Sequence, residues 1–123
     1  MAKWANDLVM DAALDYIAGS TILTVCYLQP TTYTEATSTY KLADVVVDSG
    51  DFTKANGDTS GRKVTVAAQS GVAVDTTGTA THIALATTTG STLRYVTTCT
   101  NQSLTAGNTV NVPAFDIEIA DPT

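Results

Sequence analysis

From Ile22 to Ile119 the chain is cut into short apolar or β-branched runs by turn residues every eight to twelve positions, and this cadence limits what it can fold into. The runs lie too close together for helical crossovers between parallel strands, so the sheets are expected to be mainly antiparallel. The runs are Ile22 to Leu28, Tyr40 to Val47, Phe52 to Lys54, Lys63 to Ala68, Val72 to Val74, Thr79 to Ala86, Leu93 to Cys99, Val110 with Val112, and Phe115 to Ile119. In the last, Phe115, Ile117 and Ile119 alternate with Asp116 and Glu118, which predicts a half-buried strand. In Thr79 to Ala86, Ile83 and Leu85 share one face, and His82 and Ala84 the other. Ala55 to Gly61 holds the strongest turn signal, because Asn56-Gly57 suits positive φ. Thr31 to Thr39 is polar and reads as an extended loop, and Asn101 to Ser103 as a second one.

One segment has helical character. Asn6 to Ile17 contains neither Gly nor Pro, Asn6 or Asp7 can cap its start, and Gly19 stands where a left-handed residue would end it. Leu8, Ala12 and the row Val9, Ala13, Ile17 predict a broad apolar face against a sheet, with Met10 and Leu14 beside it. Asp7, Asp11 and Asp15 recur every four residues as an acidic stripe, expected to stand in water or to dock a basic partner. Trp4, in the arm of residues 1–5, either folds back as a staple or anchors in a neighbouring subunit. The expectation is a single domain, 1–123: arm 1–5, helix 6–18 and β domain 20–120, the last a sandwich or a small barrel. The 24 threonines agree with it, since Thr is branched at Cβ and fits a pleated, half-exposed strand.

Charge narrows function. Six Lys and Arg against twelve Asp and Glu give −6, and Arg62-Lys63 is the only adjacent basic pair. Affinity for nucleic acid comes from neutralising phosphates, so none is expected as a partner. The longest apolar runs fall far short of the ~20 residues that span a bilayer, and Asp7, Asp11 and Asp15 break what would be a leader's apolar region. A soluble protein made in the cytoplasm is expected, with no membrane partner.

No catalytic, cofactor or metal site is expected. His82 is the sole histidine, without a Gly-x-Ser-x-Gly elbow or an evident acid to orient it. Gly57 to Lys63 has the wrong spacing for a phosphate loop and reads as a hairpin. Asp48, Asp51 and Asp58 do not follow the EF-hand pattern and read as acidic turns. Cys26 and Cys99 with one His cannot complete a four-ligand zinc site. They are expected to be buried and reduced, and could pair only if their strands are neighbours.

The order of features resembles the small structural proteins of tailed-bacteriophage virions. The likeness opens with Trp4-Ala5 and the helix, and passes through Thr24-Val25-Cys26, Gln29-Pro30-Thr31-Thr32-Tyr33 and Ser49-Gly50-Asp51-Phe52. In the C-terminal half it lies in Gly78-Thr79-Ala80-Thr81-His82-Ile83-Ala84-Leu85, Leu93-Arg94-Tyr95-Val96, Leu104 to Val110, and Pro113-Ala114-Phe115-Asp116-Ile117. It implies a capsid decoration (cement) protein that binds the major capsid protein lattice, or else a tail, neck or fibre-associated subunit. It implies no catalytic residue and no cofactor. Negative charge disfavours the DNA-lined interior, so the outer capsid surface is expected. Uncovered strand edges predict association with copies of itself, a trimer being one closed form. Trp4, Asp7, Asp11, Asp15, Thr31, Thr32 and Tyr33 are the expected partner contacts. A carbohydrate-binding β module using Tyr33, Tyr40, Tyr95 and Trp4 is a further alternative.

Overall fold

A computed structural model describes residues 3–122, so of the expected arm Met1 and Ala2 lie outside the described residues. The fold is mainly β, with antiparallel sheets and one N-terminal helix. Helix α1 spans Asp7–Ala18. The strands are β1 Ile22–Cys26, β2 Lys41–Val46, β3 Phe52–Asn56, β4 Arg62–Val66, β5 Gln69–Ala73, β6 Gly78–Thr87, β7 Thr92–Leu104, β8 Thr109–Val112 and β9 Phe115–Ile119. They form a four-stranded sheet β2-β1-β6-β7, a three-stranded sheet β3-β4-β9 and the pair β5-β8. All pairings within these sheets are antiparallel.

Register decides what is buried. Leu23 stands opposite Leu85 and Val25 opposite Ile83, which puts four branched side chains on one face of the large sheet. They meet Val64, Val66 and Ile117 of the facing sheet and Val72, Val110 and Val112 of the strand pair in one core. The result is a small sandwich, with the pair β5-β8 tied to β2 by an Ala43–Val74 bridge. The opposite face of β1 is covered too. Thr24 and Cys26 are fully buried, and the Cys26 thiol lies 3.6 Å from the Ala36 carbonyl oxygen that accepts from it. Burial on both faces explains why β1 reads as an unbroken apolar run and not as an alternation.

Two stretches expected to be loops are ordered otherwise. Thr31 to Thr39 contains a π-helical turn, Glu35–Thr39, whose Ala36 is fully buried. The turn is held by the Glu35 carboxylate, which accepts from the Thr31 backbone N–H at 2.9 Å and the Thr31 hydroxyl at 2.8 Å. Asn101 to Ser103 belongs to β7, because Gly78, Thr79 and Ala80 supply a partner ladder for it. That makes β7 a strand of 13 residues.

Gly19 also departs from expectation, with φ of −79°. Its small size matters instead, because a Cβ there would stand 2.6 Å from Nη1 of Arg94. That guanidinium donates to the Tyr16 carbonyl oxygen at 2.6 Å, satisfying one of the open carbonyls at the helix end.

Candidate functional site

The helix is turned differently from the sequence expectation. Met10 and Leu14 are buried, with Ile17 packed partly against the core. Leu8 and Val9, expected to face the sheet, are exposed at 74% and 65%. The physical reason lies on the sheet, where the β3–β4 hairpin presents Lys54 and Arg62. Lys54 reaches Asp15 at 2.6 Å, and Arg62 Nε reaches Asp11 at 2.9 Å. These contacts draw the acidic stripe toward the sheet and rotate Leu8 and Val9 outward.

Asp11 and Asp15 are therefore not free carboxylates in water. Asp11 is three-quarters or more enclosed at the side-chain level, and the Arg62 guanidinium holds its carboxyl below the usual range. Reciprocally, Asp11 raises Arg62. Asp7, whose side chain is exposed, is the member of the stripe with no ion pair among the described residues.

Trp4 does not fold back as a staple. It is 78% exposed, on a stretch of irregular backbone before the Asn6 cap, where the Asn6 side chain accepts from the Leu8 N–H at 2.8 Å. Together Trp4, Leu8, Val9 and Tyr16 (53% exposed) leave on the order of 500 Å² of largely apolar side chain in water, taking ~150–250 Å² per large residue. Ala12 and Ala13 lie exposed among them. Patches of about 300–600 Å² are often functional contact surfaces.

The other expected contacts lie elsewhere. Thr31 and Thr32 are exposed, but both are engaged in the π-helical turn: the Thr32 hydroxyl accepts from the Glu35 N–H at 3.1 Å. The Tyr33 carbonyl accepts from the Thr37 hydroxyl at 2.8 Å. This turn packs on β1 and β2, whereas α1 packs on β3, β4 and β7. The fold thus does not gather Trp4, the acidic stripe and Thr31 to Tyr33 into one site.

Tyrosines are dispersed as well. Tyr40 meets Tyr27 edge-on at 5.4 Å between ring centres, while Tyr95 packs against the core. Of the four aromatic residues expected as a sugar platform, Tyr95 is partly buried against the core and Trp4 stands exposed on the arm before α1.

A feature the sequence did not reveal is a groove of about 430 Å³ between β7 and the β8–β9 connection. Val25, Ile83, Val110 and Val112 form its floor, and Cys99 and Phe115 its walls. No local pattern could have announced it, because its walls come from strands that are paired with other partners. Cys99 and Cys26 are both free thiols. They lie on β7 and β1 with β6 between, about two strand spacings of ~4.8 Å apart, beyond the reach of a disulfide. Burial pushes both thiols up.

His82 Nδ1 lies 2.8 Å from the Thr81 hydroxyl, a neighbour in the chain. Among the described residues no group of three or more His, Cys, Asp and Glu side chains could hold a metal ion. The Asp48 and Asp51 carboxylates instead cap the turn between β2 and β3: Asp48 accepts from the Gly50 N–H and Asp51 from the Asp48 N–H. No helix among the described residues is long and apolar enough to cross a membrane. Searches with protein-family models, curated proteins and solved structures find no match to this chain.

Proposed function

We propose that this chain is a structural subunit of a tailed-phage virion, a decoration protein that binds the major capsid protein lattice from outside and stabilises the shell. The observation that carries the reading is the apolar face of α1, on which Leu8 and Val9 stand in water beside exposed Ala12 and Ala13, with Tyr16 half exposed at its border under the Arg94 guanidinium, 4.1 Å from the ring centre. Burying that face against a neighbour would recover roughly 25 cal/mol for each Å² of apolar surface. A small subunit repeated over a lattice needs only a modest contact per copy, because multivalent attachment multiplies weak binding. The charge of −6 suits an outer position better than one against packaged DNA. The resemblance of the motifs described above supplies the phage context.

Co-sedimentation with purified, undecorated shells tests this reading. The wild-type chain is expected to pellet with shells, and Val9→Glu, at a position already 65% exposed, to remain in the supernatant while keeping its fold. Equal pelleting of both proteins refutes the helix face as the contact. Electron microscopy of particles supplies the location: copies confined to the portal or tail would replace decoration by a tail or neck role.

A further inference from the structure

We propose that the groove between β7 and the β8–β9 connection receives the N-terminal arm of a second copy, with Trp4 as its anchor. The arm carries an exposed aromatic side chain, and the groove has a largely aliphatic lining. Trp is normally among the well-buried residues, yet Trp4 is 78% exposed in its own chain. The groove, at about 430 Å³, is in the range of small-ligand pockets (~300–1,000 Å³) and roomy enough for an indole. Its floor is aliphatic, from Val25, Ile83, Val110 and Val112. Such a pocket is the setting in which an aromatic anchor contributes most at a protein interface.

The backbone offers a second match. Strand β7 is an edge strand, paired on one side only, with β6. Thr97 to Thr100 and Gln102 border the groove, and among the described residues no hydrogen bond reaches the outward edge of that stretch. Residues 3–6 are irregular and contain no Pro, so they can lie along this edge as an added strand. Side chains of an added strand alternate, so Trp4 can point into the floor while Lys3 stays at the rim beside Asp116, whose carboxylate already accepts from Lys63 at 3.3 Å and Thr65 at 2.7 Å.

Charge favours this direction of insertion. Of the six basic residues, Lys41, Lys54, Arg62 and Lys63 are ion-paired within the chain, and Arg94 binds the Tyr16 carbonyl. Lys3 has no ion pair among the described residues. The arm therefore brings a positive charge to a body whose balance is acidic.

An arm from one copy in the groove of the next is a heterologous contact, which closes into a ring where the rotation allows it. The contact does not depend on which larger particle the subunit joins.

The test combines sedimentation equilibrium, tryptophan emission and a disulfide trap. Trp4 is the only tryptophan, so its emission reports the anchor directly. Association with rising concentration should be accompanied by a blue shift. Trp4→Ala, at an exposed position, should weaken association by roughly 30-fold or more, the size of a hot-spot loss. Cys99→Phe, which narrows the groove, should do the same with the helix and sheet signals of circular dichroism unchanged. In the trap, run at a protein concentration high enough to offset the lost indole, Trp4→Cys leaves Cys99 as the accessible thiol opposite it, since Cys26 is fully buried. Mild oxidation should link residues 4 and 99 of different chains, and Cys99→Ser should abolish the link. The proposal is overturned by a wild-type monomer at every concentration, by association that survives Trp4→Ala, or by a 4–99 link within a single chain. Association lost with Val9→Glu but kept in Cys99→Phe also overturns it, assigning self-contact to the helix face. A monomer would leave shell binding untouched, so the two readings fail separately.

Discussion

Replacing Leu14 by Ala should unfold the protein far more readily than replacing Leu8 by Ala, although both are helical leucines six residues apart. Leu14 is fully buried in the core and is a principal apolar tie between α1 and the sandwich. Truncating such a leucine removes transfer free energy and leaves a cavity, at a cost of ~2–5 kcal/mol, and a mid-range loss is about 3 kcal/mol. With an unfolding entropy of about 2.1 cal/mol/K per residue, a chain of 123 residues has about 0.26 kcal/mol/K at its midpoint. The melting temperature should therefore fall by roughly 10–12 °C. Leu8 is 74% exposed, so its truncation should stay within about 0.5 kcal/mol, a shift of no more than ~2 °C. Thermal and urea unfolding followed by circular dichroism read both variants. If Leu8→Ala lowers the midpoint more than Leu14→Ala, the helix is rotated the other way, and the apolar contact face disappears with it.

Three further outcomes follow from the geometry. Gly61 has φ +72°, and a Cβ there would collide with the Ile119 carbonyl oxygen, so Gly61→Ala should cost more than about 2 kcal/mol. Gly107, with φ +90° and open space around it, should cost only about 1 kcal/mol in the same urea series. Asp11, Glu35 and Asp116 have carboxyls held low, chiefly by hydrogen bonds from Arg62, Thr31 and Thr65 respectively. Their contribution is complete above about pH 5 and is lost as pH falls through the unfolded-state values toward the lowered ones, so the melting temperature should drop below about pH 5. The drop should be small and, for the Asp11 and Asp116 ion pairs, weaker in high salt, because these groups lie near solvent. A melting temperature unchanged down to about pH 2 would contradict the pairing. In the folded but dissociated subunit a maleimide should modify Cys99, and Cys26 only after unfolding, as counted by mass spectrometry. Two adducts formed at one rate under native conditions would contradict the burial of Cys26.

Strand positions were legible because their signals are local. Turn residues, β-branched runs and the alternation in Phe115 to Ile119 each act over a few residues, and the strands begin and end within about two residues of the expected positions except β5, which starts at Gln69 in what reads as a turn, and β7, which runs on to Leu104. Where the expectation erred, a distant partner decided. Asn101 to Ser103 is polar enough for a loop, but Gly78 to Ala80 pairs with it and extends β7. Thr31 to Thr39 has no apolar period, yet Glu35 gathers the threonine donors before it into a helical turn that buries Ala36 over β1.

The helix divides the two kinds of information most sharply. Its existence, its Asn6 cap and its acidic stripe are written in residues a few positions apart, and short-range hydrogen bonding and periodicity suffice to fix them. Which side it buries is not, because apolar residues surround it on all sides but the stripe. That choice fell to Lys54 and Arg62 on the β3–β4 hairpin, which captured Asp15 and Asp11 and turned Leu8 and Val9 to the outside. The groove arose likewise from the sheet order, which left β7 unpaired along one edge, facing the β8–β9 connection. Secondary structure could be read along the chain because its causes are neighbours in sequence. The surfaces available to partners depended on long-range pairing, which exists only once the strands have met.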